Sequence, residues 1–527
     1  MYDLIIKKAT VVDGSGQASF VADVAVGDGE ILNIATHVEA KAERVISAEG
    51  LVLAPGFVDV QNHSDSFWNL FDSPGLDSLL LQGFTSALVG QCGTSLAPLL
   101  STAALRSSQK WHSLSGSNFN WTSFAEFAQH FSGQPFGLNV GSLVGYSTVR
   151  RGLLMDEQRP LSTQETEMLR DVVHRALGEG AFGVSSGLAY THEASVSELE
   201  LFDLAQAAAA HDALLSVHLK SEASGVVREV RQMLEVAERS GVRLKISHLK
   251  IRGEQNWHHL EELLAEIEHA VHTGIDVSFD VYPYATTWRP LYTYLPAWAT
   301  LGGRAEMLHA LTDPVQYRKI LAHLHDRSYR FQDMVVASTS FPMRVVSKTF
   351  GQVAQSLGVT SEEAVLEVLK NGGAEILVFD RCLHEEHVDS LLAHPISVVA
   401  TDGGGFPRRE DVGFQERLVH PRCYGTSGQF LSRMRTTRRL SLEIAVAKLT
   451  GMPARVWGLD DRGIIAVGAK ADLVLFNPLH IYDRASLVDP FHSPTGIVHV
   501  WVNGVQAVRD GQLTGVRNGI FLRKSYI

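Results

Sequence analysis

Four residues far apart in the chain have the types and settings to do chemistry together. Cys92 in GQCGTS, His218 in LLSVHLK and His248 in LKISHLK each end a short apolar run, and Asp402 in VVATDGGG follows another. A thiolate and two imidazoles suit zinc, a borderline-soft cation, and leave a coordination position open for water or substrate. A carboxylate opposite such an ion can take a proton from water and later hand it to a leaving group. Singly, each residue has a plainer reading. A strand-end histidine is often only hydrogen-bonded, a lone cysteine is a small buried hydrophobe, and an Asp before glycines forms turns. Recurrence at strand end after strand end is what points to a site. One stretch is odd: GFVDVQNHSD reads as a strand ending in a polar cluster, yet it carries Gln61, Asn62 and His63 where a metal-binding strand would carry two histidines on alternate positions.

Residues so scattered share a site only if the fold gathers strand ends. The middle of the chain has that form. GFVDVQNH, TSALVGQCG, FGLNVGSLVGY, AFGVSSGL, ALLSVHLK, RLKISHLK, DVSFDVYPY and ISVVATDGGG are strand candidates, many of them separated by amphipathic helical patterns such as SGVVREVRQMLEVAERSG. This alternation predicts an α/β fold, a (β/α)8 TIM-like barrel over residues 55–455 whose C-terminal strand ends converge on one mouth. His63, Cys92, His218, His248, Tyr282 and Asp402 all stand at such ends. Residues 1–54 and 456–527 instead alternate apolar and polar positions between Gly and Asp turns, as in DLIIKKATVVDG and IVHVWVNGVQAVRDG. They predict one small β-sandwich domain assembled from both termini. The aromatic-rich stretch at about 285–334 predicts an insertion.

Bulk properties narrow the partners. Of the 527 residues, 45% are hydrophobic and 20% charged, the balance of a globular protein with ample core. The net charge of −12, from 46 basic and 58 acidic residues, argues against a nucleic-acid or anionic-membrane partner. Cys92, Cys382 and Cys423 are far apart and form no disulfide framework. No run approaches the roughly 18 apolar residues of a membrane span, and the first residues alternate like a strand, unlike a signal peptide. The expectation is a cytoplasmic enzyme acting on a small molecule, with homo-oligomerisation left open.

Longer stretches carry a resemblance: LAPGFVDV, QCGTSLAP, SSGLAYTHEASVSEL, VHLKSE, SHLK, DVYPY, HPRCYGT and LTGMPARVWGLDDRGIIAVGAKADLVLFNP. Over essentially its whole length the chain resembles the N-acyl-D-amino-acid deacylases (D-aminoacylases) of the amidohydrolase superfamily. The resemblance implies that Cys92, His218 and His248 hold a tightly bound zinc and that Asp402 is the general acid and base. Gln61 and His63 fall where the family has a His-x-His pair serving a weaker second metal position. Tyr190, Lys250 and Tyr282 match residues around the acyl amide, and Arg422 matches the residue that receives the substrate carboxylate, which a guanidinium fork fits in bidentate geometry. The plain alternatives are solvated side chains for Arg422 and Lys250, and barrel packing for the tyrosines. The resemblance also implies that the insertion after the seventh strand covers the site as a lid. Two departures bear on the substrate: Trp288 replaces a small serine of the family, and Tyr146 replaces a histidine common at its turn.

A neutral amide is a much poorer zinc ligand than imidazole, so Gln61 weakens or abolishes the second metal position while the three-donor site stands without it. His63 then either binds a metal weakly or donates a hydrogen bond to the substrate carbonyl. The expected enzyme is a mononuclear zinc hydrolase that cleaves the amide of an N-acyl-(D-)amino acid to a carboxylate and a free amino acid. One rival uses the same zinc–carboxylate pair on a cyclic amide, a modified dipeptide or a lactone. Another is a barrel that has lost catalysis and serves as a binding protein.

Overall fold

Short strands that are apolar throughout need cover on both faces, and a ring of parallel strands inside a ring of helices supplies it. In the computed structural model, which describes residues 1–101, 104–105, 119–155, 157–300, 303–325, 329–339, 345–409 and 417–525, eight strands form that ring. In order they are Phe57–Asp59, Phe84–Val89, Asn139–Ser142 continued by Val144–Gly145, Gly183–Gly187, Leu214–His218, Arg243–Ile246, Val277–Val281 and Ser397–Val399. Neighbours in the ring pair in parallel. The eighth strand closes on the first through a bridge between Asn62 and Gly403, with His63 N–H donating to the Gly403 carbonyl at 2.7 Å and Asp402 N–H to that of Gln61 at 2.9 Å. Closure therefore brings Gln61, His63 and Asp402 to one point on the rim. These eight strands are the ones expected from the sequence.

The surrounding helices follow from apolar spacing and caps. Val226–Ser240 buries Val226, Val230, Met233, Leu234 and Ala237, a single face of a 3.6-residue period. It stops at Gly241, whose φ of 70° is the left-handed conformation that ends helices. Thr163–Gly178 begins with a capping box in which Ser162 and Glu165 satisfy each other's backbone N–H groups.

Both ends of the chain build one nine-stranded mixed sheet, the sandwich-type layer beside the barrel. Val52–Pro55 pairs antiparallel with Leu473–Phe476, which places Leu53 opposite Leu475, and Val52–Pro55 is joined in parallel to Tyr2–Val11. A buried polar knot ties this sheet to the barrel. Asp472 accepts from Asn139 Nδ2 at 3.0 Å on the third barrel strand and from Asn503 N at 2.6 Å, and it pairs with Arg462.

The connection from the seventh to the eighth strand carries a unit of its own. A three-stranded antiparallel sheet, Thr287–Pro290, Leu377–Asp380 and Val335–Ser338, packs with a separate apolar core that includes Leu291, Tyr294, Phe331, Phe350 and Leu366. Within the stretch 285–334, residues 301–302 and 326–328 lie outside the described residues. Trp288 on this sheet stacks on Phe67, just past the first barrel strand, with centroids 5.0 Å apart, so the unit lies over the barrel mouth. Among the described residues no helix is long and apolar enough to cross a membrane.

Candidate metal centre and active site

The ends of the second, fifth and sixth barrel strands bring Cys92, His218 and His248 together. One donor atom of each lies within 4.8 Å of the others, all three residues are buried, and the described residues contain no second cluster of this kind. Cys92 Sγ is 3.5 Å from His248 Nε2, and the two imidazoles stand edge to face with centroids 4.5 Å apart. The donor set fits zinc. Burial alone would raise the Cys92 thiol, but the His248 charge and hydrogen bonds from His218, His248 and His63 hold it well below the usual thiol range. His218 Nδ1 is buried with no hydrogen-bond partner among the described residues, a state that buried polar atoms rarely keep without a ligand.

The backbone holds these groups at some cost. Cys92, His248 and Asp402 have φ values of 54°, 38° and 47°. That left-handed region costs a non-glycine residue about 1–2 kcal/mol, and such strain clusters where side-chain direction matters. The neighbours sustain it: His248 N–H donates to Asp280 Oδ1 at 2.9 Å, and Asp402 N–H is held by Gln61. Gly93 follows Cys92 for a steric reason. A Cβ there would lie 2.0 Å from Glu193 Oε1 and 2.9 Å from the Gly187 nitrogen.

Two charged groups frame the metal donors. Asp402 Oδ2 meets Arg422 Nη1 at 2.9 Å and Oδ1 meets His63 Nε2 at 3.1 Å. Burial would raise the Asp402 carboxyl, but Arg422, His248 and His63 hold it well below the usual carboxylate range, so it is ionised. On the other side stands Glu222, which the sequence reading did not single out although it lies in the quoted VHLKSE. Its Oε1 is 2.6 Å from Lys250 Nζ, 3.2 Å from His248 Nδ1 and 3.9 Å from His218 Nε2. Burial works against its charge, but Lys250 and the two imidazoles hold it well below the usual range. His248 Nδ1 thus lies between the Glu222 carboxylate and the Lys250 ammonium, whose Nζ is 2.8 Å away, while its Nε2 faces the Cys92 sulfur. The only sequence signal for the role of Glu222 is its position four residues beyond a strand-end histidine.

A cavity of about 40 Å³ opens on this centre, lined by His63, Cys92, Tyr190, His218, Lys250, Tyr282, Trp288, Asp402 and Arg422 among others. The structure thus brings every proposed site residue to it except Gln61, which lies directly behind, its Nε2 donating to Cys92 Sγ at 3.2 Å. Burial keeps the Tyr190 and Tyr282 phenols protonated, as donors. The Tyr282 hydroxyl and Arg422 Nε have no partner among the described residues, and the Arg422 guanidinium lies 4.7 Å over the Tyr282 ring. Lys250 spends its ammonium on Glu222 and on the His248 carbonyl at 2.7 Å. Tyr146 is elsewhere: its hydroxyl donates to Glu200 at 2.7 Å beside Arg150. Arg289 is a second residue that sequence reasoning missed. It lines the cavity, its Nε donates to Thr293 Oγ1 at 2.8 Å, and its buried Nη1 has no partner among the described residues.

Comparison with known proteins bears on this geometry. A sequence model of the amidohydrolase family matches residues 44–337 and 373–508. The chain is 32% identical to an N-acyl-D-aspartate deacylase of Alcaligenes xylosoxydans xylosoxydans over 517 residues, 97% of this chain and 93% of the relative. Its structure is similar to that of an N-acyl-D-glutamate deacylase from Bordetella bronchiseptica solved with zinc and a phosphonate mimic of the tetrahedral intermediate, with a TM-score of 0.82 and 28% identity over 99% of this chain and 100% of that one. It is equally similar to a D-aminoacylase studied for one-metal activation and second-metal attenuation, with a TM-score of 0.82 and 26% identity over 99% and 100% of the two chains.

Proposed function

Because this chain belongs to the amidohydrolase family, in its N-acyl-D-amino-acid deacylase branch, we propose that it hydrolyses the amide bond of N-acyl-D-amino acids with one zinc ion held by Cys92, His218 and His248. The observation that carries the reading is the buried thiolate–imidazole cluster with an ionised Asp402 facing it across the same cavity. A zinc ion on those donors supplies the Lewis acidity that polarises a carbonyl and lowers the pKa of water.

The chain's own residues do the rest. Asp402 removes the proton of the attacking water and delivers it to the departing nitrogen, a step an amide needs because a bare amine anion is too poor a leaving group. His63, whose Nε2 is bonded to Asp402, steadies that carboxylate. Tyr282 offers its hydroxyl to the developing oxyanion. Arg422 receives the substrate α-carboxylate through its free Nε edge while Nη1 keeps Asp402 in place. Lys250 and Glu222 hold His248, and Tyr190 packs against His218 with centroids 4.9 Å apart. The insertion is a lid: a cavity of about 40 Å³ is far below the roughly 300 Å³ of small-molecule sites, so Trp288 and its strand must withdraw to admit substrate and return to exclude water.

Arg289 supports a finer reading of the substrate. A buried guanidinium nitrogen at the cavity wall, in a residue with no ion pair among the described residues, fits a side-chain carboxylate, as in N-acyl-D-aspartate or N-acyl-D-glutamate. The experiment is a hydrolysis panel of zinc-loaded protein on matched N-acetyl-D- and N-acetyl-L-amino acids and on cyclic imides. Release of amino acid from the D series, fastest for acidic side chains, is expected. Turnover of the cyclic imides alone would overturn the reading.

A further inference from the structure

A charged residue lies behind the metal donors with no part in the reaction just described. Lys245 on the sixth barrel strand and Asp280 on the seventh have side chains 0% exposed and pair at 2.7 Å. Lys245 Nζ also donates to Gln61 Oε1 at 2.5 Å and to the Val60 carbonyl at 3.2 Å. Gln61 is thereby fixed end for end, its oxygen turned to the lysine and its Nε2 to the Cys92 sulfur. Asp280, at the far end, holds the backbone N–H of His248. A single buried relay, His248–Asp280–Lys245–Gln61–Cys92, braces two of the three proposed zinc donors from behind.

The orientation of Gln61 decides what it can do. An amide nitrogen has no lone pair to give a metal, and the oxygen that could coordinate is spent on the ammonium. Cys92 Sγ lies 4.0 Å from His63 Nε2, and His63 in turn meets Asp402, so these three groups and position 61 surround the place a second ion would take. An ion there would face the positive end of the Lys245–Asp280 pair just beyond Gln61, where water screens little. We infer that Lys245 is a built-in cation that replaces the second metal ion, with Gln61 as its connector to the thiolate. The inference rests on the single-zinc reading above and goes beyond it: position 61 is not a failed ligand but part of a device that keeps the centre mononuclear. The amide N–H on sulfur also tempers the thiolate as a donor, since hydrogen bonds to ligating atoms tune a metal site.

Cobalt(II) titration of metal-free protein tests this, read by absorption and by bound metal after desalting, with circular dichroism to show that each variant is folded. Wild type takes one equivalent and develops a sulfur-to-cobalt charge-transfer band. Gln61→His also takes one, because Lys245 remains, whereas Gln61→His combined with Lys245→Gln takes two. Two equivalents in Gln61→His alone, or one in the folded double variant, would overturn the proposal. A wild type that takes none would instead sink the zinc reading beneath it. Loss of the buried lysine can unfold the chain, so Gln61→Leu provides an independent arm. Removing its N–H from the sulfur shifts the charge-transfer band, and an unshifted band overturns the proposal.

Discussion

In the proposed reaction Asp402 must be ionised at the start and protonated halfway through. The Arg422 pair secures the first condition, and water's proton supplies the second. Asp402→Asn keeps the charge-independent packing but loses proton transfer, so kcat should fall about 10²–10⁴-fold with zinc retained. Unchanged turnover in the metal-replete variant would remove Asp402 from the mechanism. Glu222 acts through others: with Glu222→Gln, His248 loses its carboxylate brace and zinc affinity should drop about 10–100-fold. Competition with a chromophoric chelator measures that drop, and wild-type affinity would show the brace to be idle. At this scale the sequence was informative where residue type and strand end coincide, as at Cys92, His218, His248 and Asp402. Lys245 was illegible for a physical reason. RLKI alternates like a half-buried strand with its lysine in water, and nothing local says that this face of the strand is the barrel interior.

The strand Thr287–Pro290 is the element on which substrate range turns in the proposed reading. It carries Trp288, stacked on Phe67, and Arg289, so it both roofs the cavity and presents a cation to it. Trp288→Ser removes the stacked ring and enlarges the cavity. The ratio of kcat/KM for bulky over small N-acyl groups should rise about tenfold, the low end of the discrimination one methylene gives in an apolar pocket. An unchanged ratio across a graded acyl series would place Trp288 outside the substrate's path. The proposal that the insertion is a lid came from family likeness, whereas its internal sheet escaped the sequence reading. Its strands are four residues each and lie far apart in the chain, too short to show a period of two above the background.

For the molecule as a whole, the joint between barrel and terminal sheet is the point most exposed to a single change. Arg462 and Asp472 are 4% and 2% exposed, and Asp472 also bonds Asn139 of the barrel and Asn503 in the turn between the strands Ile497–Val502 and Val505–Arg509. Arg462→Met strands a buried carboxylate and should destabilise by about 3–5 kcal/mol, read as a lower urea midpoint with little change in kcat at low temperature. A midpoint within error of wild type would mean that the knot is not what joins the layers. The barrel itself was legible because eight apolar runs alternate with helical patterns, and the terminal sheet because both ends share an alternating style. The pairing of Leu53 with Leu475 was not, since register between distant segments is set by packing that no local pattern records. The account stands on one ion at Cys92, His218 and His248, and titration of the metal-stripped chain with zinc tests it most directly, following release of the amino acid from an N-acetyl-D-amino acid. Turnover should climb linearly and level off at one equivalent per chain; full turnover without metal, or a plateau only at two equivalents, would contradict it.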